Sequence, residues 1–353
     1  LAAAPLLPLR SAASLPTSST SPPLPLLIWH GLGDRHDADG LHSIGDLAVQ
    51  VHPGTRVHYI RVAPDGAADQ RASFFGNVSA QIDQVCDDVA AALAPQHASL
   101  APIPHPHAPP PARVDALGFS QGGQFLRALV QRCPALRVRS LVTFGAQHNG
   151  ITRFPACRPW DWLCRAATAL VRDNIWSDAA QARVVPAQYF RPVRDDDDDD
   201  DDDNHRPRGP GPARAYRAHS AFLADANNER ADAPPNPAYA RRLAALDALA
   251  LFVFANDSTV VPKESGWFAD RDPSTGHLVP VRATPAYRAD TLGLRSLDRR
   301  GALHLRSVED AAHMELQEEQ LRAVFAEFFG PERERERGGG VVAQTVLTDA
   351  PEG

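Results

Sequence analysis

Short apolar runs and helical periodicities alternate along this chain. "LPLLIW" (24–29) is an apolar run of strand length and predicts a buried strand ending at "HGLGD". A helical stretch follows near 42–52, and "RVHYIRV" (56–62) alternates as a strand does. In "NVSAQIDQVCDDVAAALA" (77–94), Val78, Ile82, Val85 and Val89 fall on one helical face. "RVDALGF" (113–119) predicts a strand with a helix directly behind it, and "SLVTFGA" (140–146) predicts another. "ALALFVFANDS" (248–258) and "ALHLRSVEDAAHMEL" (302–316) supply two more, the second before a closing helix.

Strands separated by helices predict an α/β fold, a mostly parallel sheet with helices on both faces. The alternation holds over 24–150 and 246–330, which are the expected core. It breaks over 151–245, read as a helical insertion before the strand at 248. Within the insertion, 194–213 carries an unbroken aspartate run and reads as a solvated loop. "PQHASLAPIPHPHAPPPA" (95–112) is linker-like; His105 and His107 have no carboxylate or cysteine beside them to complete a metal site. Residues 1–23 read as the remnant of a secretory signal and a disordered lead-in, and 331–353 as a tail without a core-forming pattern.

Composition changes this picture little. The net charge of −7 reduces to a remainder of +2 once the nine charges of Asp195–Asp203 are set aside. No basic stripe with interleaved aromatics appears, so nucleic acid is not an expected partner. No apolar run reaches the ~18 residues that a membrane-spanning helix needs. Cys86, Cys133, Cys157 and Cys164 lack CxxC spacing, which disfavours zinc and leaves two disulfides or four buried thiols. Asn77-Val78-Ser79 and Asn256-Asp257-Ser258 are glycosylation sequons and fit a secretory route. No metal or cofactor is expected.

The chemistry lies in "GFSQGG". Gly118-Phe119-Ser120-Gln121-Gly122 fits G-x-S-x-G, and a buried strand before it with a helix after it is the context of a nucleophile elbow. The alternative for Ser120 is a helix N-cap. A nucleophilic serine needs an acid and a base beyond later strands, in the order Ser, Asp/Glu, His. Asp257 follows one such strand and His313 the last. Asp310 is a rival acid, three residues before His313 in the same expected turn. Backbone N–H groups of Gln121 and Leu32, the latter between two glycines, are the expected oxyanion donors. Gln147 and His148 after the strand at 140–146, and Trp176 in the insertion, are expected substrate contacts. Phe154, Trp160, Trp162, Leu163, Trp176 and Phe222 are together the expected groove wall.

The blocks "PLLIWHGLGD", "SFFGNVSAQIDQVC", "ALGFSQGGQFLRALVQRCP", "GAQHNG", "HSAFLADANNER" and "FANDSTVVPKESGWF" closely resemble, in order, those of the lysosomal palmitoyl-protein thioesterases. The resemblance runs from about Pro25 to Gly330. It implies an α/β-hydrolase fold and a serine hydrolase that removes long-chain acyl groups from cysteines of lipidated proteins. It also implies Ser120 as nucleophile, Asp257 as acid, His313 as base, disulfides Cys86–Cys133 and Cys157–Cys164, and glycosylation at Asn256. The implied location is the lysosomal or vacuolar lumen, or secretion. The family's adjacent cysteine pair after the first glycine motif is absent here, where "RHD" stands; Asn77 is a sequon of this chain's own. Cytosolic-type acyl-protein thioesterases or carboxylesterases share "HGLGD" and "GFSQGG" but lack the cysteines and the insertion. A lipase and a lipid-binding pseudoenzyme are the remaining alternatives.

Overall fold

Among the described residues, six parallel strands form the main sheet: β1 (Leu26–Trp29), β2 (Val57–Tyr59), β3 (Ala112–Phe119), β4 (Leu136–Phe144), β5 (Ala248–Phe254) and β6 (Leu303–Val308). They lie in the order β2-β1-β3-β4-β5-β6. The computed structural model describes residues 21–94, 112–154, 156–157, 159–171, 174–192, 212–272, 275–332 and 348–349. The aspartate run, His105, His107, nearly all of the expected lead-in and most of the expected tail lie outside these residues.

The apolar runs form strands because the sheet is covered on both faces, and successive side chains divide between two cores. Leu27, Trp29, Val114, Ala116, Leu141, Leu249 and Leu251 face one way. They pack under α3 (Val78–Leu93) and α4 (Gln121–Arg132). Leu26, Ile28, Leu117, Phe119, Val142, Phe144 and Phe252 face the other way, under α1 (Asp39–Val51) and the closing helix Glu318–Phe328. The fold is therefore the expected α/β-hydrolase arrangement. β4 begins at Leu136, earlier than the apolar run suggests, since Leu136 and Val138 alternate with arginines at the sheet's rim. A helix over 66–74, α2, was not expected. Its buried residues are Gly66, Asp69, Ser73 and Phe74, a face too polar to produce an amphipathic signal. Asp65 caps it by accepting the Ala68 N–H at 2.8 Å.

The stretch 151–245 contains helical pieces, of which α5 (Trp162–Val171) is the longest described. Leu163, Cys164, Ala167 and Val171 join Phe74, Ala180 and Val184 in a small separate core. The main layer resumes before 245, however: the helix Pro237–Ala244 packs on α4 and buries Leu243 in the main core. A parallel β4-to-β5 connection needs a crossover element against the sheet, and this helix supplies it. Thr348–Asp349, in the expected tail, pairs antiparallel with Arg306 and Ser307 of β6. An edge strand's free N–H and C=O groups accept such pairing without any side-chain pattern. Both disulfides, Cys86–Cys133 and Cys157–Cys164, are formed. Among the described residues no helix is long and apolar enough to cross a membrane.

The strand order reverses between β1 and β3, so the loops leaving their carboxyl ends diverge and open a crevice. Register brings Trp29 beside Gly118, Phe119 beside Phe144 and Phe144 beside Phe252. The segments that follow, 30–33, 120–121, 145–148, 255–257 and 309–313, therefore leave one rim of the sheet.

Candidate active site

Ser120 sits at the end of β3 with φ 49° and ψ −121°, a backbone region that a side chain rarely adopts. Its N–H donates to the Phe144 carbonyl at 2.8 Å, which holds the turn. The flanking glycines are steric requirements. A Cβ on Gly118 would lie 2.4 Å from Gly123 Cα, and one on Gly122 would lie 2.3 Å from the His30 carbonyl oxygen. The turn thus brings α4 against β1 and β3 only while both positions lack side chains.

His313 follows β6 and reaches the hydroxyl, with Nε2 3.1 Å from Ser120 Oγ. Its Nδ1 lies 2.7 Å from Asp257 Oδ2. Asp257 is nearly fully buried and is held in turn: its Oδ1 accepts the N–H groups of Thr259 at 2.8 Å and Val260 at 3.0 Å. A carboxylate fixed this way keeps the proton of a neutral imidazole on Nδ1, leaving Nε2 free to accept from the serine. Gly145, at φ 57°, makes space for the ring, since a Cβ there would lie 3.0 Å from His313 Cε1. Asp310 is exposed, in a left-handed turn at φ 54°, and the His313 contact goes to Asp257.

Gln121 is the first residue of α4, where a backbone N–H has no intrahelical partner. Leu32 borders the same cavity as Ser120. The loop carrying Leu32 is tied to α2. Gly33 N–H donates to Ser73 Oγ at 2.8 Å, and Gln70 Nε2 donates to the Gly33 carbonyl at 2.6 Å. His30 Nε2 meets Asp69 Oδ2 at 2.9 Å, both side chains buried. Burial opposes charge on His30, but the hydrogen bond and charge of Asp69 outweigh it and raise its pKa above the ordinary histidine value. Burial likewise opposes charge on Asp69. The bonds from His30, Val62 and His36 prevail and hold its pKa well below the usual carboxylate range. The Gln121 side chain is pinned as well, donating to the Ser73 carbonyl at 3.1 Å and accepting from the Tyr189 hydroxyl at 3.0 Å. Asp69, Gln70, Ser73 and Tyr189 were not found from the sequence. Ser73 opens the block "SFFGNVSAQIDQVC" and Asp69 and Gln70 lie just before it, which gives no reason to select a polar helix, and Tyr189 lies in the insertion with no signal of its own.

A cavity of ≈ 1030 Å³ opens at Ser120 and His313. That is at the upper end of the ~300–1,000 Å³ common for ligand pockets. Leu32, Phe74, Phe119, Ile151, Tyr189 and Val260 form an apolar part of its wall, and Asp34, Gln147, Asp161, Ser258 and Thr259 a polar part. The other expected contacts are elsewhere. His148 is fully buried, its ring stacked on Phe268 and its Nε2 3.0 Å from Thr143 Oγ1. Desolvation holds its pKa well below the ordinary value. The turn after β4 tucks this ring into the core instead of into the cavity. Trp176 packs edge-on against Phe190 and Tyr216.

The expected groove wall is corrected in the same way. Phe154 stacks on Phe190, Phe222 packs against Phe125, and Leu163 belongs to the small core. Trp160 and Trp162 are exposed. The insertion instead contributes Ile151, Ala156, Asp161, Cys164 and Tyr189 to the cavity. Asn256 is exposed beside the acid; Asn77 is half-buried and its Oδ1 accepts the Ala80 N–H at 3.0 Å. Among the described residues no cluster of three or more histidine, cysteine or acidic side chains could hold a metal ion.

A family model described as "Palmitoyl protein thioesterase" matches residues 25–313. The chain is 30% identical over 295 residues to "Palmitoyl-protein thioesterase 1" of Caenorhabditis elegans, covering 83% of this chain and 87% of that one. It is also 30% identical over 336 residues to "Palmitoyl-protein thioesterase-dolichyl pyrophosphate phosphatase fusion 1" of Schizosaccharomyces pombe. That match covers 94% of this chain and 48% of the fusion protein. Among solved structures, it aligns with ferulic acid-bound Est1E of Butyrivibrio proteoclasticus at a TM-score of 0.41 and 10% identity, over 86% of this chain and 87% of that one.

Proposed function

Because the chain belongs to the palmitoyl protein thioesterase family, we propose that it hydrolyses long-chain acyl thioesters on cysteines of palmitoylated proteins through an acyl-serine intermediate. The observation that carries this reading is the Ser120–His313–Asp257 relay, with contacts of 3.1 Å and 2.7 Å, at a cavity whose wall includes Leu32, Phe74, Phe119, Ile151 and Val260.

Ser120 Oγ attacks the thioester carbonyl while His313 Nε2 takes the hydroxyl proton, and Asp257 stabilises the imidazolium. The tetrahedral oxyanion is met by the N–H groups of Leu32 and Gln121. Collapse breaks the carbon–sulfur bond. A cysteine thiolate, with a reference pKa of about 8.5, leaves with little acid assistance and takes its proton from His313. Water, deprotonated by His313, then cleaves the acyl-serine to free acid and restores the hydroxyl. At about 0.8 kcal/mol per buried CH₂, a sixteen-carbon chain contributes up to roughly 11 kcal/mol of binding in such a cavity. Gln147 is the one polar side chain expected at the substrate that also borders the cavity. Ile151, Ala156, Cys164 and Tyr189, which the insertion contributes to the cavity wall, border the acyl chain.

Two disulfides and the sequons at Asn256 and Asn77 support an oxidising, lumenal compartment, the lysosome or vacuole, or secretion. The test is labelling by a fluorophosphonate probe, expected in the wild type and absent in Ser120→Ala. It is paired with release of palmitate from an S-palmitoyl peptide against its oxygen-ester analogue. Labelling that survives Ser120→Ala, or preference for the oxygen ester, refutes this reading.

A further inference from the structure

Two indole rings stand out from the surface where α5 begins. Among the described residues, five large apolar side chains are notably exposed, and three belong to this segment: Trp160 at 75%, Trp162 at 68% and Leu170 at 61%. The other two, Val49 and Leu278, lie elsewhere at 38% and 39%. α5 is apolar on both sides. Leu163, Cys164, Ala167 and Val171 point into the small core. Trp162, Ala166, Ala169 and Leu170, with Arg165 among them, form the outer face at helical spacings of three and four. Large apolar side chains exposed opposite a helix's buried stripe are ordinarily covered, by protein or by lipid.

Charge and position decide between those covers. Arg165 is exposed and donates to the Pro159 carbonyl beside Trp160 at 3.3 Å, Arg153 is exposed earlier in the same segment, and the sequence from 153 to 173 holds four arginines against two aspartates. Asp161 caps α5 by accepting the Cys164 N–H at 3.0 Å. Exposed indoles among arginines suit the boundary between anionic headgroups and acyl chains. The patch also adjoins the cavity. Ala156, Asp161 and Cys164 line the space that opens at Ser120, on the other side of the same short segment. Lipid resting on the outer face would lie about one helix diameter, ~10 Å, from the cavity.

From this the geometry points to an interfacial docking surface: Trp160, Trp162 and Leu170, with Arg153 and Arg165, seat the protein on an anionic lipid bilayer beside the cavity. An acyl chain leaving that bilayer then reaches Ser120 without crossing water. The use of the surface rests on the thioesterase reading; its affinity for lipid does not.

The test sediments full-chain Ser120→Ala protein with vesicles of phosphatidylcholine alone and of phosphatidylcholine with phosphatidylserine. Binding to the anionic vesicles is expected. Trp160→Ala/Trp162→Ala should weaken it roughly tenfold by removing both buried rings. Arg165→Gln should weaken it about fivefold, the value of one charge near an anionic surface. With Ser120 intact, the double tryptophan variant should cleave a water-soluble S-acyl peptide as the wild type does, but lose rate on an S-palmitoyl peptide anchored in vesicles. Circular dichroism checks that this variant folds. Failure of the Ser120→Ala protein to sediment overturns the proposal, as does vesicle binding that the double variant retains. A dimer that the double variant dissociates, without vesicle binding, assigns the patch to a protein contact and overturns it too. If no thioester is cleaved, the functional reading fails while the sedimentation result still decides this one.

Discussion

Replacing Asp69 with asparagine removes the charge that anchors the loop of Leu32. The carboxylate is 1% exposed. Its Oδ2 meets His30 Nε2 at 2.9 Å, the His36 N–H at 2.9 Å and His36 Nδ1 at 3.0 Å. Its Oδ1 accepts the N–H groups of Val62 at 2.7 Å and Ala63 at 3.3 Å. In Asp69→Asn one of these oxygens becomes an NH₂ group facing donors, and His30 loses its counter-ion. Breaking a buried pair from one side typically costs about 3–5 kcal/mol.

The pH dependence has a definite sign. His30 has a raised folded pKa, so its contribution is complete below its ordinary value of 6.5 and is lost as pH rises through the folded value. Asp69 has a depressed folded pKa, so its contribution is complete above 3.8 and is lost as pH falls toward the folded value. The pair therefore stabilises most between these two limits. Burial of neutral His148 adds stability as pH rises in both proteins, so the pair is read from the difference: by urea unfolding at pH ~5, ~7 and ~9, the stability gap between wild type and Asp69→Asn should narrow from mildly acidic to alkaline pH. Because His30 leads directly into the oxyanion loop, kcat on a soluble thioester should also drop, by up to about a hundredfold, with KM less affected. Wild-type stability in Asp69→Asn would refute the buried-pair argument. Lost stability with unchanged kcat would refute the link to the loop.

Gly122→Ala places a Cβ 2.4 Å from the Trp29 carbonyl oxygen. Overpacking of this kind costs about 1–3 kcal/mol, so a thermal melt should shift down and fluorophosphonate labelling should disappear. Asp257→Asn should lower kcat by about 10⁴-fold through the wrong imidazole tautomer, measured on soluble thioester under saturating substrate. The disulfides close loops of very different length, with separations of 47 for Cys86–Cys133 and 7 for Cys157–Cys164. Loop-closure entropy then predicts losses of about 4 and about 2 kcal/mol on replacing each pair by serines, compared by urea unfolding.

The strands were legible because parallel strands buried on both faces must be apolar throughout, as "LLIW" and "ALALFVF" are. Ser120, Asp257 and His313 were legible because each follows such a strand. The support beneath them was not. Asp69 and His30 are 39 residues apart, and a polar helix face that meets a histidine leaves no periodic trace. Aromatic side chains misled for a related reason. Trp176 and Phe222 look like groove residues in sequence, but an apolar ring satisfies the same burial in any core; here they pack against Phe190, Tyr216 and Phe125. Trp160 and Trp162 show that even burial does not follow from residue type.

Position 120 is where working and folding pull in opposite directions. A residue with a Cβ at φ 49° costs about 1–3 kcal/mol that glycine would not. Ser120→Gly should therefore yield a sturdier protein with no nucleophile, and drift that selects only for robustness would discard the hydroxyl.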